Sequence, residues 1–152
     1  MPHSPAARVA ALDQLLLLAT LIDEDMTRGL AALGLTKARV GVVWLVHHEG
    51  PRTQRELAAA LGVSPRNVTG LVDALVATGF VTRAPHPTDR RATQVTLTAQ
   101  GARVGDELAA GRARLAEELF ADLSGRRFTA IVAGLDALLE RLFAVLAQEV
   151  HQ

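Results

Sequence analysis

Two short helices joined at a glycine, each with a recognisable start, constrain this chain more than any other feature. Thr53 and Glu56 form a predicted capping box, in which the hydroxyl and the carboxylate each satisfy a free amide at a helix start. That helix stops at Gly62. Ser64 and Pro65 then open the next helix, because serine is a good N-cap and proline loses no hydrogen bond at the first helical position.

The second of these helices has a single apolar face. Its apolar residues fall at i, i+3, i+4, i+7 and i+8, a spacing that places them on one buried stripe. They are Val68, Leu71, Val72, Leu75 and Val76. Gly79 ends the helix. Two short helices joined by about three residues around a glycine are typical of a helix-turn-helix, whose second helix enters the major groove of DNA.

A predicted β-hairpin with a basic tip follows the helix pair. Residues 80–83 and 93–97 are prone to form strands, and the loop between them is too rich in proline and charge to be core. The loop contains Asp89, Arg90 and Arg91. One interpretation is that these charges only pin a surface loop by local ion pairs. Because the hairpin directly follows a helix-turn-helix, however, we interpret it as a wing. Its arginines suit the negative potential of a narrow minor groove.

The order of these features resembles the MarR family of bacterial transcription regulators. The resemblance is strongest from about Leu35 to Gly101 and rests on the helix-turn-helix, Gly79-Phe80-Val81-Thr82-Arg83, Asp89-Arg90-Arg91 and Leu97-Thr98-Ala99-Gln100-Gly101. It implies a mainly α fold with a small β-hairpin wing, in which a winged helix-turn-helix stands on a helical dimerisation base of about six helices. It also implies a homodimer that reads a pseudo-palindromic operator in double-stranded DNA, often released by a small ligand.

The resemblance also assigns DNA-facing residues, position by position. In the second helix they are Ser64, Pro65, Arg66, Asn67 and Thr69, and in the wing they are Arg83, Asp89, Arg90 and Arg91. Two positions depart from the family pattern, because Gly70 and Ala74 stand where many members carry long polar or basic side chains. Fewer contacts are therefore expected at the middle of this helix. The motif leaves open which wing arginine enters the groove and which one pairs with Asp89.

The flanks are predicted to be scaffold. We divide the chain into an N-terminal dimerisation helix (1–34), the winged domain (35–98) and C-terminal helices that complete the dimer base (99–152). Predicted caps lie at Ser4, Thr36, Thr98 and Ser124, and Gly34 is expected to end the first helix. The apolar stripes at both ends are wider than one neighbouring helix needs. A partner chain explains them better than a self-contained six-helix monomer.

The distribution of charge supports a nucleic-acid partner although the overall net charge is zero. Between residues 52 and 91 there are six arginines and three acids, a net charge of +3, whereas both flanks are net negative. No run reaches about 18 uncharged apolar residues, so we expect no membrane span. The start of the chain lacks a basic region followed by a signal-like apolar block, so we expect a cytoplasmic protein.

Few residues suggest other chemistry. The chain has no cysteine, no zinc-ligand spacing and no glycine-rich phosphate loop, and no nucleophile–base pair or carboxylate dyad indicates an enzyme. We expect no cofactor and no resident metal. The low-specificity candidates for an effector pocket share one helix: Arg39, Trp44, His47 and His48. A ring beside a cation or imidazole suits a small aromatic acid, although the stripe that Trp44 shares with Val40 and Val43 favours a core position for it.

Two alternatives to the ligand-released repressor stay open. One is a DNA-binding regulator of the same fold without a small-molecule effector. The other is a metal-responsive regulator. Adjacent His47 and His48 point about 100° apart on a helix, so they are not a natural chelating pair. Such a site would need further ligands, for which Asp23, Glu24 and Glu49 are the candidates.

Overall fold

The computed structural model describes residues 4–149, with only the backbone of Glu149, and it divides into two compact units between Arg112 and Ala113. His3, His151 and the outermost ends of the two predicted dimerisation segments lie outside the described residues. The elements in chain order are α1 (Pro5–Thr27), a 3-10 turn (Ala31–Leu33), α2 (Lys37–Glu49), β1 (Arg52–Thr53), α3 (Gln54–Leu61), α4 (Pro65–Ala77), β2 (Val81–Pro85), β3 (Thr93–Leu97), α5 (Ala99–Phe120) and α6 (Gly125–Glu149).

The predicted helix starts are confirmed by hydrogen bonds. Thr53 Oγ1 accepts from the Glu56 amide at 3.2 Å, and the Glu56 carboxylate accepts from the Thr53 amide at 2.8 Å, which completes the capping box. Ser64 Oγ accepts from the Asn67 amide at 3.1 Å. The same three-residue pattern starts the other α-helices, with Ser4, Thr36, Thr98 and Ser124 as the acceptors.

The first helix ends earlier than predicted. α1 stops at Thr27, and the chain then passes through Gly29, whose φ of +85° is a left-handed conformation that few residues other than glycine adopt. Gly34 instead ends the short 3-10 turn that follows, with a φ of +73°. The prediction that Gly34 ends α1 was therefore wrong, because the helix is already broken at Gly29.

The predicted hairpin is part of a three-stranded antiparallel sheet. β2 pairs with β3, with Val81 opposite Leu97, and β1 adds to the other edge of β3 with Arg52 opposite Val95. The sequence did not predict β1, because it is only two residues long, Arg52 and Thr53, and two residues show no period-two pattern. The extra strand ties the start of α3 to the base of the wing.

The core lies where α2, α3, α4 and the sheet meet. Its most deeply buried side chains are Val42, Val43, Leu57, Val68, Val72, Leu75, Phe80, Val81 and Val95. The predicted α4 stripe is confirmed for Val68, Val72 and Leu75, with Leu71 half-buried at its edge. Val76 was predicted to be buried but is 38% exposed. Eight residues of helix rotate it about 80° from Val68, which carries it past the edge of the stripe.

Two glycines let α5 approach the winged domain closely. A Cβ on Gly101 would lie 1.9 Å from the Phe80 carbonyl oxygen, and one on Gly105 would lie 2.2 Å from the His47 ring. Thr98, just before the helix, also donates its hydroxyl to the Gly79 carbonyl oxygen at 2.6 Å. The sequence Leu97-Thr98-Ala99-Gln100-Gly101 therefore has a packing reason: it docks the start of α5 on the end of the α4–β2 turn.

The terminal helices bury little within this chain. α1 has no buried residue, and the side chains of α6 are exposed through Gln148, including Leu139 at 50% and Phe143 at 67%. α1 is long and apolar enough to cross a membrane, with a mean hydropathy of 1.5, which differs from the expectation that no segment is. Arg8 and Asp13 lie within it, and a single helix of this kind is weak evidence for a membrane span, because buried core helices of soluble proteins and N-terminal signal sequences are equally long and apolar.

Candidate nucleic-acid interface

The first turns of α4, the recognition helix, present polar side chains on the face opposite the core. Ser64, Pro65, Arg66, Asn67 and Thr69 are all exposed, whereas Val68 and Val72 point into the core. The Ser64 hydroxyl is occupied by its cap, but nothing in residues 4–149 pairs with the side chains of Arg66 and Asn67. Their free donors and acceptors lie where recognition helices meet base edges.

Thr69 is exposed, but its hydroxyl is held by the protein. It donates to the Pro65 carbonyl oxygen at 2.9 Å and accepts from Gln54 Nε2 at 3.0 Å. One lone pair and the methyl group remain for DNA. Gly70 follows and leaves open space, since a Cβ there would meet nothing within 4 Å.

Arg39 lies beside the recognition helix. It lines an open cleft of about 530 Å³ together with Ser64, Arg66, Asn67, Gly70 and Leu71. Its Nη1 donates to the Gly34 carbonyl oxygen at 3.0 Å, which fixes the side chain at the start of α2. The structure thus places Arg39 with the predicted DNA-facing residues, with no hydrogen bond or cation–π contact to Trp44.

The wing tip is an ordered turn held by side-chain hydrogen bonds. His86 Nδ1 accepts from the amides of Thr88 and Asp89, at 3.3 and 3.2 Å. A nitrogen that accepts carries no proton, so in this arrangement the neutral ring is protonated at Nε2. Across the tip, the His86 amide donates to the Ala92 carbonyl oxygen at 3.0 Å. Sequence reasoning missed this role of His86, because a histidine between two prolines carries no capping signature.

Asp89 braces the wing through the backbone. Its Oδ1 accepts from the Arg91 amide at 2.9 Å, whereas no ion pair joins it to an arginine in the described part of the chain. The side chains of Arg90 and Arg91 are both exposed and without a hydrogen-bond partner within residues 4–149. Asp89 therefore orients the turn that carries the two arginines.

Arg83 lies at the base of the wing and points back into the domain. Its Nε donates to Gln54 Oε1 at 3.1 Å, and its Nη2 forms an ion pair with Asp73. The side chain is 34% exposed. The resemblance grouped Arg83 with the wing arginines, but the structure engages it with α3 and α4.

The ion pairs separate the arginines of this region into paired and unpaired ones. Of the six arginines between residues 52 and 91, Arg52 pairs with Glu49 at 3.2 Å and Arg83 with Asp73. The other four have no acid within 4.0 Å among the described residues: Arg55, Arg66, Arg90 and Arg91. Unpaired guanidinium groups at the recognition helix and wing tip suit phosphate and guanine, which they bind through two parallel hydrogen bonds.

The capping box of α3 also changes the pKa of an acidic side chain. Hydrogen bonds from the backbone amide of Thr53, and then from its hydroxyl, lower the pKa of Glu56, since both stabilise the ionised carboxylate. Glu56 is held at the helix start and lies outside the group of unpaired charges. Its role is structural.

Three of the four predicted effector residues lie together on α2. Trp44 is half-buried against the core, stacked on His48 with ring centroids 5.3 Å apart and near His47 at 6.2 Å. His47 contacts Asp106 of α5, with Nε2 2.9 Å from Oδ1. Arg112, which the sequence did not single out, lies over the Trp44 ring at 4.5 Å from its centroid.

The candidate metal ligands are dispersed. Asp23 pairs with Lys37 at 2.9 Å and Glu49 with Arg52, and no group of three or more histidines and acids that could hold a metal ion occurs within residues 4–149. On α4 and the wing, by contrast, the exposed hydrogen-bonding groups and unpaired arginines suit a polyanion.

Comparison with known proteins agrees with this geometry. Residues 33–92 match the MarR family. The multiple antibiotic resistance protein MarR of Salmonella typhimurium is 28% identical over 120 residues, which cover 79% of this chain and 81% of that protein. The transcriptional regulator Tm0710 of Thermotoga maritima is 29% identical, with a TM-score of 0.62 over 89% of this chain and 98% of that one.

Other solved structures share the fold at lower identity. RV1404 of Mycobacterium tuberculosis has a TM-score of 0.75 at 24% identity, over 92% of this chain and 95% of that one. A MarR family protein from Bacillus stearothermophilus has a TM-score of 0.73 at 21% identity, over 93% of this chain and 99% of that one. The predicted winged helix-turn-helix fold is confirmed. Residues 33–92 thus carry the DNA-binding domain of the MarR family, and the chain as a whole is similar to transcription regulators rather than to enzymes.

Proposed function

We propose that this protein is a cytoplasmic homodimer that represses transcription by occupying a pseudo-palindromic operator, and that a small aromatic or lipophilic ligand releases it. The observation that carries the DNA-reading part is the first turn of the recognition helix. Arg66 and Asn67 are exposed and unpaired there, and the wing tip, which is held by the Asp89–Arg91 hydrogen bond, presents the exposed side chains of Arg90 and Arg91. A helix can read base edges while the wing arginines hold phosphate or the minor groove.

The proposed base readers are tested by comparing specific with non-specific binding. Arg66→Ala and Asn67→Ala should each cost about 1–3 kcal/mol on a duplex selected by the wild-type protein from a random library, and relax preference at particular bases. The matched control is Arg103→Ala on α5, which removes the same charge from an exposed helix position. Variants whose ratio of selected to shuffled DNA binding equals that of the wild type would refute this assignment.

The dimer is supported by the apolar faces that the chain leaves exposed. Large apolar side chains of α1 and α6 are between 39 and 67% exposed, among them Leu12, Leu16, Leu138, Leu142 and Phe143. Large apolar side chains exposed along the length of a helix mark an interaction site in a soluble protein. In a symmetric dimer the two recognition helices should lie about 34–36 Å apart, one turn of DNA.

The effector is supported by the Trp44 cluster on α2. An aromatic ring, two imidazoles and the guanidinium of Arg112 lie within a few ångströms, a combination that suits a planar acid. The runner-up functions are a regulator without an effector and a metal-responsive one. A thermal-shift screen with aromatic acids and divalent metals separates the three, because only a bound ligand raises the melting temperature.

A further inference from the structure

We infer that Arg83, Gln54 and Asp73 are positioning residues, which hold the wing and α3 in a fixed orientation against the recognition helix. They thereby determine how well the protein discriminates between DNA sequences, without contacting DNA themselves. This inference rests on the proposed function, since it concerns how the same surface reads DNA. It reassigns Arg83, which the family resemblance placed among the DNA-facing residues.

One side chain joins three elements. Arg83 projects from β2, and its guanidinium donates in two directions, to Gln54 Oε1 at the first residue of α3 and to Asp73 Oδ1 on α4. The planar fork of arginine suits two partners at a fixed angle, whereas a lysine ammonium would hold only a single point of charge. The base of the wing is therefore tied to both helices of the helix-turn-helix.

The hydrogen bonds continue to the start of the recognition helix. Gln54 accepts from Arg83 through Oε1, so its amide nitrogen faces Thr69, to which it donates at 3.0 Å. Thr69 in turn donates to the Pro65 carbonyl oxygen at 2.9 Å. Arginine can only donate, so a single orientation of the Gln54 amide satisfies both neighbours. A continuous path thus runs from the wing strand to the turn that carries Arg66 and Asn67.

The same contacts argue against Arg83 as a phosphate contact. The Nε and Nη2 groups of Arg83 are engaged by Gln54 and Asp73, and a phosphate that approached the remaining donors would come close to the Asp73 carboxylate, which is 61% exposed. An exposed ion pair contributes little to folding stability, so the network matters for orientation rather than for the melting temperature. The loss expected on breaking it is a loss of discrimination.

The test compares Arg83→Ala, Asp73→Ala and Gln54→Ala on two duplexes, one selected by the wild-type protein from a random library and one shuffled. Each variant should bind the selected duplex about tenfold more weakly, and the double variant Arg83→Ala/Asp73→Ala should lose no more than either single one. Binding to the shuffled duplex should change less than about twofold, and the salt dependence should stay that of the wild type, because no phosphate contact is lost.

Asp73→Ala is the most informative variant. Removing a negative charge near DNA should tighten binding to every sequence if only electrostatics mattered, whereas loss of positioning should weaken binding to the selected duplex alone. Arg83→Lys keeps the charge and should fail to restore discrimination, since it cannot hold Gln54 and Asp73 together. Arg103→Ala serves as the charge-matched control, and unchanged thermal unfolding confirms that the variants are folded.

Three outcomes would overturn the inference. Arg83→Ala could weaken binding to both duplexes equally and reduce the slope of log affinity against log salt concentration by about one, as loss of a phosphate contact does. Asp73→Ala could tighten binding, or all three variants could discriminate as well as the wild type. A wild-type protein that enriches no sequence from the library would instead refute the proposed function, and the inference with it.

Discussion

The guanidinium of Arg112 lies over the indole ring of Trp44, 4.5 Å from the ring centroid. A cation over a tryptophan face contributes about 0.5–1 kcal/mol at an exposed site. The pair joins α5 to α2, and α2 packs against the recognition helix through the shared core. Any planar acid that enters this cluster must therefore either displace Arg112 from the ring or take it as the partner of its carboxylate.

Arg112 should decide the affinity for aromatic acids. Salicylate should quench the fluorescence of Trp44, the only tryptophan, and Arg112→Ala should weaken that binding about tenfold, because a carboxylate that leaves water needs a charged donor. The neutral analogue salicylamide should bind both proteins alike. A ligand that prefers the DNA-free form should weaken DNA binding by the same coupling free energy, typically about 1–3 kcal/mol.

The control for this titration is Arg103→Ala, which removes an arginine from the same helix. If no aromatic acid quenches Trp44 or releases DNA at millimolar concentration, the cluster is only packing and the effector proposal for it is wrong.

Two alanine substitutions on α5 should have opposite signs. Gly101→Ala would place a Cβ 1.9 Å from the Phe80 carbonyl oxygen, and we expect a loss of about 1–3 kcal/mol in the free energy of unfolding from overpacking. Gly111→Ala lies on the same helix in open space and should gain about 0.5–1 kcal/mol from helix propensity. Urea denaturation measures both. Equal effects at the two positions would contradict the close approach of α5 to Phe80.

The dimer prediction concerns α6. Leu139 and Leu142 are 50 and 52% exposed, and truncating both to alanine should dissociate the dimer, because each buried leucine contributes about 2–5 kcal/mol and symmetry doubles the loss. Sedimentation velocity at micromolar concentration should show the wild type as a dimer, with DNA affinity falling together with association in the variant. Glu140→Ala on the same helix is the control. A monomeric wild type would refute the interface.

Local chemistry explains what could be predicted from the sequence. Helix starts depend on a hydroxyl three residues before an amide, and that relationship is visible in the sequence at Thr53 and Ser64. The apolar period likewise predicts which face of α4 is buried. The partner of a long polar side chain is not local: Arg83 bonds to residues 29 and 10 positions away, so its sequence motif cannot tell a DNA contact from a brace. Arg112 was missed for the same reason.

Substitutions in the wing should distinguish Asp89, which orders the tip, from Arg90 and Arg91, which we expect to contact DNA. Arg90→Ala and Arg91→Ala should each weaken binding to all sequences and reduce the salt dependence by about one unit, because each removes a phosphate or groove contact. Asp89→Ala should also weaken binding although it removes a negative charge, since the Arg91 amide loses its acceptor and the tip loosens. Asp89→Asn keeps that acceptor and should retain most of the affinity. Tighter binding by Asp89→Ala would show that the aspartate does not order the tip.

The last prediction concerns the pH dependence of stability. The Thr53 amide and hydroxyl lower the pKa of Glu56 in the folded protein, so the ionised carboxylate favours the folded state. That contribution is complete above the unfolded pKa, about 4.3, and is lost as the pH falls through the lower folded value. Urea midpoints of the wild type and Glu56→Gln should therefore differ at pH 7 and converge as the pH falls through the lowered folded pKa. Glu107→Gln on α5 is the control for removing one charge. A difference between wild type and Glu56→Gln that does not shrink as the pH is lowered into the acid range would mean that the ionised carboxylate does not stabilise the capping box.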